Sequence, residues 1–209
     1  MFDVRIRKII DPSLKFFAVR TGLTKIQADR ITVFGFAVGV LACVMLAFRL
    51  DMAALTLLLL NRLCDGLDGI VARENGTTDK GGYLDIVLDF IFYSGYVFAF
   101  ALRSPETAIL AAYLIFSFVG TGTSFLAYAI FEHKSGVPPI TGGKAFRYIG
   151  GITEGAETIA VFILFTLYPS YFPIIALIYG TLCWITATMR ILAGAKMLSN
   201  QFPEHEEHA

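Results

Sequence analysis

The chain has 209 residues, 56% of them hydrophobic and 14% aromatic against 16% charged, and its mean hydropathy is +0.67. That balance excludes a soluble globular domain and identifies an integral membrane protein. Seventeen Lys and Arg offset seventeen Asp and Glu, so net charge carries no signal for nucleic acid, and none is expected as a partner.

Residues 3–20 alternate basic side chains with Val4, Ile6, Ile9, Ile10, Leu14, Phe16, Phe17 and Val19, which predicts an amphipathic segment lying in the membrane interface over residues 1–30. Pro12 lacks an N–H and disfavours helical geometry in Asp11, so two short helical pieces are expected there. Basic residues run through the whole stretch, no cleavage site follows, and no cleaved signal peptide is expected.

Six segments then approach the roughly 20 residues needed to cross a ~30 Å hydrocarbon core. They lie near 31–48, 53–73, 82–102, 107–131, 153–169 and 172–196. The expected fold is an all-α membrane protein with six transmembrane helices, a catalytic membrane domain over 31–197 and a cytosolic tail over 198–209. The tail carries His205 and His208 among acidic residues and is expected to fray. Of the seventeen Lys and Arg, all but Arg49 and Arg103 fall toward the side of the N-terminus, a positive-inside pattern that puts both termini in the cytosol. Cys43, Cys64 and Cys183 stand singly in apolar surroundings and are expected to pack.

Against this apolar background, Asp65, Asp68, Asp85 and Asp89 recur in D-G-L-D-G-I-V-A-R and G-Y-L-D-I-V-L-D. An Asp at membrane depth costs roughly 2.5–3.5 kcal/mol on insertion scales, so four of them imply a function. On helices, spacings of three and four put each pair on one face, and the short connection between them predicts an antiparallel pair in which all four carboxylates converge. Bare, they would repel; a divalent cation removes the conflict. An all-oxygen shell without Cys or paired His favours Mg²⁺ or Mn²⁺, ions commonly completed by substrate phosphates. Gly69 and Gly82 leave room for a bulky ligand, Ala72 continues the thin face, and Arg73 supplies a guanidinium for phosphate oxygens. By contrast, Gly35 and Gly39 in the first span are expected to serve helix packing.

The pattern D-x-x-D-G-x-x-A-R-x(8)-G-x-x-x-D-x-x-x-D resembles that of the CDP-alcohol phosphatidyltransferases, with Asp65, Asp68, Gly69, Ala72, Arg73, Gly82, Asp85 and Asp89 taken as its fixed positions. The likeness extends to length, the interfacial N-terminal helix and the six spans. It implies two divalent ions on the four aspartates and a CDP-diacylglycerol donor clamped by its diphosphate. It further implies Asp89 as general base toward a small alcohol acceptor, release of CMP, and a homodimer in the lipid bilayer. Gly69, Ala72, Arg73 and Gly82 would line the nucleotide pocket. A P-N-x-[LI]-T stretch of many members corresponds here to Ala28, Asp29, Arg30, Ile31 and Thr32. Thr32 fits, whereas Asp29 can accept hydrogen bonds from the nucleotide but cannot donate them.

For the acceptor, Lys144, Phe146, Arg147 and Tyr148 in the 132–152 loop, with Glu154 and Glu157 at the start of the fifth span, are candidates for a pocket. Arg190, inside the last span, is expected to partner a carboxylate. These residues do not name the alcohol. A divalent-cation transporter is the rival from another class, although Arg73 beside a cation path opposes permeation; a hydrolase of CDP-lipids is the nearest rival among enzymes.

Overall fold

The α-helix Asp3–Thr21 (α1) runs straight through Pro12, in a computed structural model that describes residues 3–134 and 153–201. The expected break at Pro12 does not occur. Proline forfeits one backbone hydrogen bond, and the half of α1 beyond it is fixed from outside: Leu14 and Ala18 join a small apolar cluster with Ile31, Cys64, Leu67, Ile70 and Val71. Two ion pairs, Asp11–Arg73 at 3.0 Å just before the proline and Lys15–Glu74 at 2.6 Å just after it, tie both sides of Pro12 to a later helix.

Every regular element among the described residues is helical. After α1 come α2 (Ala28–Ala47), α3 (Asp51–Asn75), α4 (Asp79–Arg103), α5 (Ala108–Lys134), α6 (Gly155–Leu167) and α7 (Phe172–Gln201). Two residues set the connection between α3 and α4. Gly76 ends α3 at φ 97, a region that favours glycine, and Thr78 caps α4 by accepting from the Gly81 N–H at 3.0 Å. At the opposite end, Arg103 pairs with both oxygens of Asp51, and Arg49 donates to the Arg103 carbonyl at 3.1 Å, so the α2–α3 turn is locked to the end of α4.

Four stretches, Ala28–Ala47, Asp79–Arg103, Pro105–Phe131 and Pro169–Lys196, are long and apolar enough to cross a membrane, which makes this a multi-pass membrane protein. The two remaining expected spans fall short for different reasons. In α3 the polar motif lowers the hydropathy of a 25-residue helix, and the described α6 has 13 residues. The tail and the 132–152 loop lie largely outside the described residues.

Small residues bring the helices close. A Cβ added at Gly35 would stand 2.8 Å from the Cys64 Cβ, and one at Gly39 would stand 2.7 Å from Phe92 and 2.9 Å from the Asn61 Nδ2. The expected packing role of both glycines is met: α2 lies against α3 and α4. Gly120 and Gly180 do the same for α5 and α7, accepting Trp184 and Tyr113. Between them, Tyr96, Phe100, Phe162, Phe165 and Phe172 form a buried aromatic stack joining α4, α6 and α7. Cys64 and Cys183 are buried and all three cysteines are free thiols, as packing residues should be.

Gly39→Val is expected to overpack the α2–α4 contact by ~1–3 kcal/mol, lowering the melting temperature in detergent by about 2–10 °C for a chain of this size. Gly82→Ala, where an added Cβ meets nothing within 4 Å, is expected to leave it unchanged. Parallel thermal denaturation of the two variants checks both.

Candidate active site

Asp65 and Asp68 stand one turn apart near the C-terminal end of α3, and the reversal at Gly76–Thr78 returns the chain so that Asp85 of α4 faces them. One carboxylate oxygen from each of the three lies within 4.8 Å of the other two. Asp68 is 6% exposed, and its Oδ2 is buried without a hydrogen-bond partner. Leaving such an oxygen unsatisfied is costly, by about 1–3 kcal/mol or more for a charged group. A hard divalent ion satisfies it, and the donor set is of the oxygen-rich kind such ions prefer. The residues present therefore fit a divalent metal.

Asp89, expected to converge with these three, borders the same cavity with them; its Oδ1 accepts from Arg62 Nη2 at 2.9 Å and its Oδ2 from the Tyr93 hydroxyl at 3.2 Å. The sequence reading missed Arg62, having counted it only as a cytosolic charge. The available signal was an arginine inside a span, one turn before the first aspartate.

Asp29, Thr32, Gly69, Ala72, Arg73 and Gly82 all line one cavity of about 990 Å³, which also reaches Asp65, Asp68, Asp85 and Asp89. Arg73 borders it while paired to Asp11, and its Nη1 lies 3.4 Å from where a Cβ at Gly69 would stand. Ala72 continues this wall. Across the cavity, Asp29 pairs with Lys80 at 3.1 Å, and the Thr32 hydroxyl donates to the Ala28 carbonyl at 3.1 Å. Gly155, Ala156, Ile159, Ala160 and Ile163 of α6 make an apolar wall.

The motif glycine assigned to position 82 moves by one residue. Counting G-x-x-x-D back from Asp85 reaches Gly81, and the geometry agrees: a Cβ at 81 would lie 3.0 Å from Thr78 Oγ1 and 3.2 Å from Asp29 Oδ1, while position 82 is open. Gly81 is where the backbone approaches closely.

Glu154 and Glu157, read as acceptor-pocket residues, form a capping box at the start of α6. The Glu154 side chain accepts from the backbone of residue 157, and Glu157 accepts from the Glu154 N–H at 3.2 Å. Their three-residue spacing serves the helix terminus. Arg190 donates to the Thr121 carbonyl at 3.3 Å and lies over Phe125. Lys144, Phe146, Arg147 and Tyr148 lie outside the described residues.

Comparison with known proteins identifies the family. The profile of the CDP-alcohol phosphatidyltransferase domain matches residues 25–192. The "Inner membrane protein YnjF" of Escherichia coli is 48% identical over 171 residues, covering 81% of this chain and 83% of that one. The "Bifunctional IPC transferase and DIPP synthase" of Archaeoglobus fulgidus is 28% identical over 148 residues, 69% of this chain but only 29% of that longer protein. Among solved structures, the phosphatidylinositol phosphate synthase PgsA1 of Mycobacterium tuberculosis, crystallised with CDP-DAG bound, superposes with a TM-score of 0.58 at 17% identity. That match covers 94% of this chain and 96% of the other, a likeness of fold. With the acidic motif, the cavity and a profile match across most of its length, the chain belongs to the CDP-alcohol phosphatidyltransferase family of enzymes.

Proposed function

We propose that the protein transfers a phosphatidyl group from CDP-diacylglycerol to the hydroxyl of a small alcohol, releasing CMP. The observation that carries this reading is the Asp65, Asp68 and Asp85 group with the unpartnered Asp68 oxygen inside the shared cavity. CDP-DAG in the Mycobacterium tuberculosis neighbour and the transferase name of the Archaeoglobus relative support the choice of donor.

Two hard ions, Mg²⁺ or Mn²⁺, are the proposed cofactors, and Asp65, Asp68, Asp85 and Asp89 would hold them. When bound, they supply positive charge that gathers the diphosphate oxygens and stabilises the charge left on departing CMP. Arg73 holds diphosphate oxygens by its fork of donors, with Gly69 and Ala72 leaving the space. Asp29 and Thr32, with Gly81 beside them, face the nucleotide, and Lys80 balances the Asp29 carboxylate. Asp89, fixed by Arg62 and Tyr93, takes the proton of the acceptor hydroxyl. The acceptor oxygen bonds to the lipid phosphorus as the bond to the CMP oxygen breaks.

In the bilayer, α3 and α6 complete six spans with α2, α4, α5 and α7, and α1 lies in the interface. At a rise of ~1.5 Å per residue α3 is long enough, and its polar half turns to the cavity instead of to lipid. Arg49 and Arg103 meet at the end of the bundle away from the acidic motif, and the sequence pattern assigns the other Lys and Arg to the opposite side, which supports cytosolic termini and a site open to the cytosol. The relative's name supports the inner membrane as its location. A homodimer belongs to the same reading.

Purified protein supplied with CDP-diacylglycerol, Mg²⁺ and a panel of polyol phosphates and amino alcohols is expected to release CMP only when a suitable alcohol is present, and to stop on chelation. Release that needs no alcohol would mean hydrolysis, and none with any acceptor would overturn the reading. Asp68→Asn is expected to weaken Mn²⁺ and donor binding together, whereas Asp89→Asn is expected to lower turnover by about 10²-fold or more while retaining donor binding. Gly81→Ala is expected to raise KM for the donor by about tenfold, equivalent to ~1.4 kcal/mol, and Gly82→Ala to leave it within twofold; steady-state kinetics on the pair separates the two glycines.

A further inference from the structure

α1 forms one wall of the cavity through Ile10, Asp11 and Leu14, and its contacts with α3 are of two kinds. Most of them dock the helix. Ala18 is fully buried in the small apolar cluster, Leu14 Cδ1 lies 2.8 Å from where a Cβ at Gly66 would stand, and Lys15 pairs with Glu74 at 2.6 Å, off the cavity lining. The remaining ion pair is different, because both of its members line the cavity. Arg73 Nη2 donates to Asp11 Oδ2 at 3.0 Å with both side chains well exposed. Among the described residues Arg73 makes no other hydrogen bond.

We infer that Asp11 is a specificity residue for the donor: its carboxylate competes for the Arg73 fork, so that a ligand gains the fork only by offering more than a single carboxylate does. The inference rests on the proposed reading of Arg73 as a holder of diphosphate oxygens. A diphosphate diester such as that of CDP-diacylglycerol carries two charges, on oxygens that accept well from a guanidinium. The phosphodiester of an ordinary phospholipid carries one charge on two free oxygens, as Asp11 does. Such headgroups surround a cavity walled by an interfacial helix, and an unopposed Arg73 would take them, since its fork matches carboxylate and phosphate alike. Asp11 cancels that gain and leaves a diphosphate the advantage. The exchange disturbs little, because Leu14, Lys15 and Ala18 hold α1 in place when Asp11 lets go. A carboxylate that served only to aim Arg73 would be buried with it; this one is exposed and shares one hydrogen bond.

The test compares Asp11→Asn, Glu74→Gln, Arg73→Met and the double variant of Asp11→Asn with Arg73→Met, on the purified full-length chain in detergent with Mg²⁺. CDP affinity is read by calorimetry. Donor KM is read in mixed micelles with and without dihexadecyl phosphate, a lipid with one phosphodiester charge and no hydroxyl that could act as acceptor. Asp11→Asn is expected to bind CDP about two- to fivefold more tightly, the range that an exposed ion pair spans. Dihexadecyl phosphate, at a level that leaves the wild-type donor KM within about 1.5-fold, is expected to raise that of Asp11→Asn about twofold or more. Glu74→Gln makes the same charge change next to Arg73 but off the cavity, and is expected to leave CDP affinity unchanged. Because Asp11 acts through Arg73, its gain is expected to vanish in the double variant. Weaker CDP binding by Asp11→Asn would overturn the inference by showing that the carboxylate aims Arg73. A gain that persists in the double variant or recurs in Glu74→Gln would overturn it in favour of a diffuse field, and an equal response of wild type and Asp11→Asn to dihexadecyl phosphate would remove the claim of specificity. If Arg73→Met does not fold, the Asp11 and Glu74 variants decide by the same readings. Wild-type CDP affinity in Arg73→Met brings down the reading of Arg73 itself; weakened CDP binding there beside an unchanged Asp11→Asn brings down this inference only.

Discussion

The site depends on carboxylates held in an apolar helix bundle. A charged Asp at membrane depth carries a cost of roughly 2.5–3.5 kcal/mol. The chain meets this cost in two ways: the acids line a cavity instead of facing lipid, and the fourth is paired with Arg62 within the protein. Asp68 nonetheless retains an oxygen that nothing in the described protein satisfies. An apolar scaffold built only for assembly would gain nothing from that last arrangement, because an orphaned buried acceptor destabilises the fold that contains it. It makes sense when a ligand supplies the missing partner.

The close approach of α2 and α3 serves the same end. Gly35 and Gly39 bring α2 within reach of Asn61, and Asn61 spends its amide on the Gly35 carbonyl and its oxygen on Arg62. Helix packing and the alignment of the acids are therefore one contact seen from two sides. It also sets the start of α2 at the cavity rim, where Asp29 and Thr32 lie. On the other rim, Leu14 of α1 packs over Gly66, so the interfacial helix bears directly on the motif helix.

Much of this was legible in the sequence because acids in a hydrophobic run have few explanations. Asp65, Asp68 and Asp85 fall together as their helical spacings require, and the residues matching the family pattern share one cavity. What escaped were features decided by competition between contacts. The continuity of α1 past Pro12 weighs one lost hydrogen bond against packing on Ala18 and Leu14 and two ion pairs, none readable from neighbours in the chain. Glu154 and Glu157 have the spacing of a capping box, but Ser, Thr, Asp and Asn are the usual caps, and that preference hid the structural use of the pair. Gly81 and Gly82 are adjacent, and only the four-residue step to Asp85 together with the crowding around Asp29 separates them. Arg62 reaches Asp89 across 27 residues of chain, beyond any local rule.

The two arginines of the motif region differ in a way that bears on turnover. Arg73 meets Asp11 at 3.0 Å with both side chains well exposed, at 46% and 38%, and a pair of that kind contributes only about 0.2–1 kcal/mol. An incoming diphosphate can replace Asp11 at little cost, with more charge and more acceptor oxygens to offer. Arg62, at 15% exposure, is braced by Asn61, Tyr93, Asp89 and the face of Phe92, and breaking one partner would leave the others buried and unsatisfied. One guanidinium is thus available to a ligand while the other stays with the protein. The same cation chemistry at two depths separates a group that can exchange partners from one fixed in the scaffold.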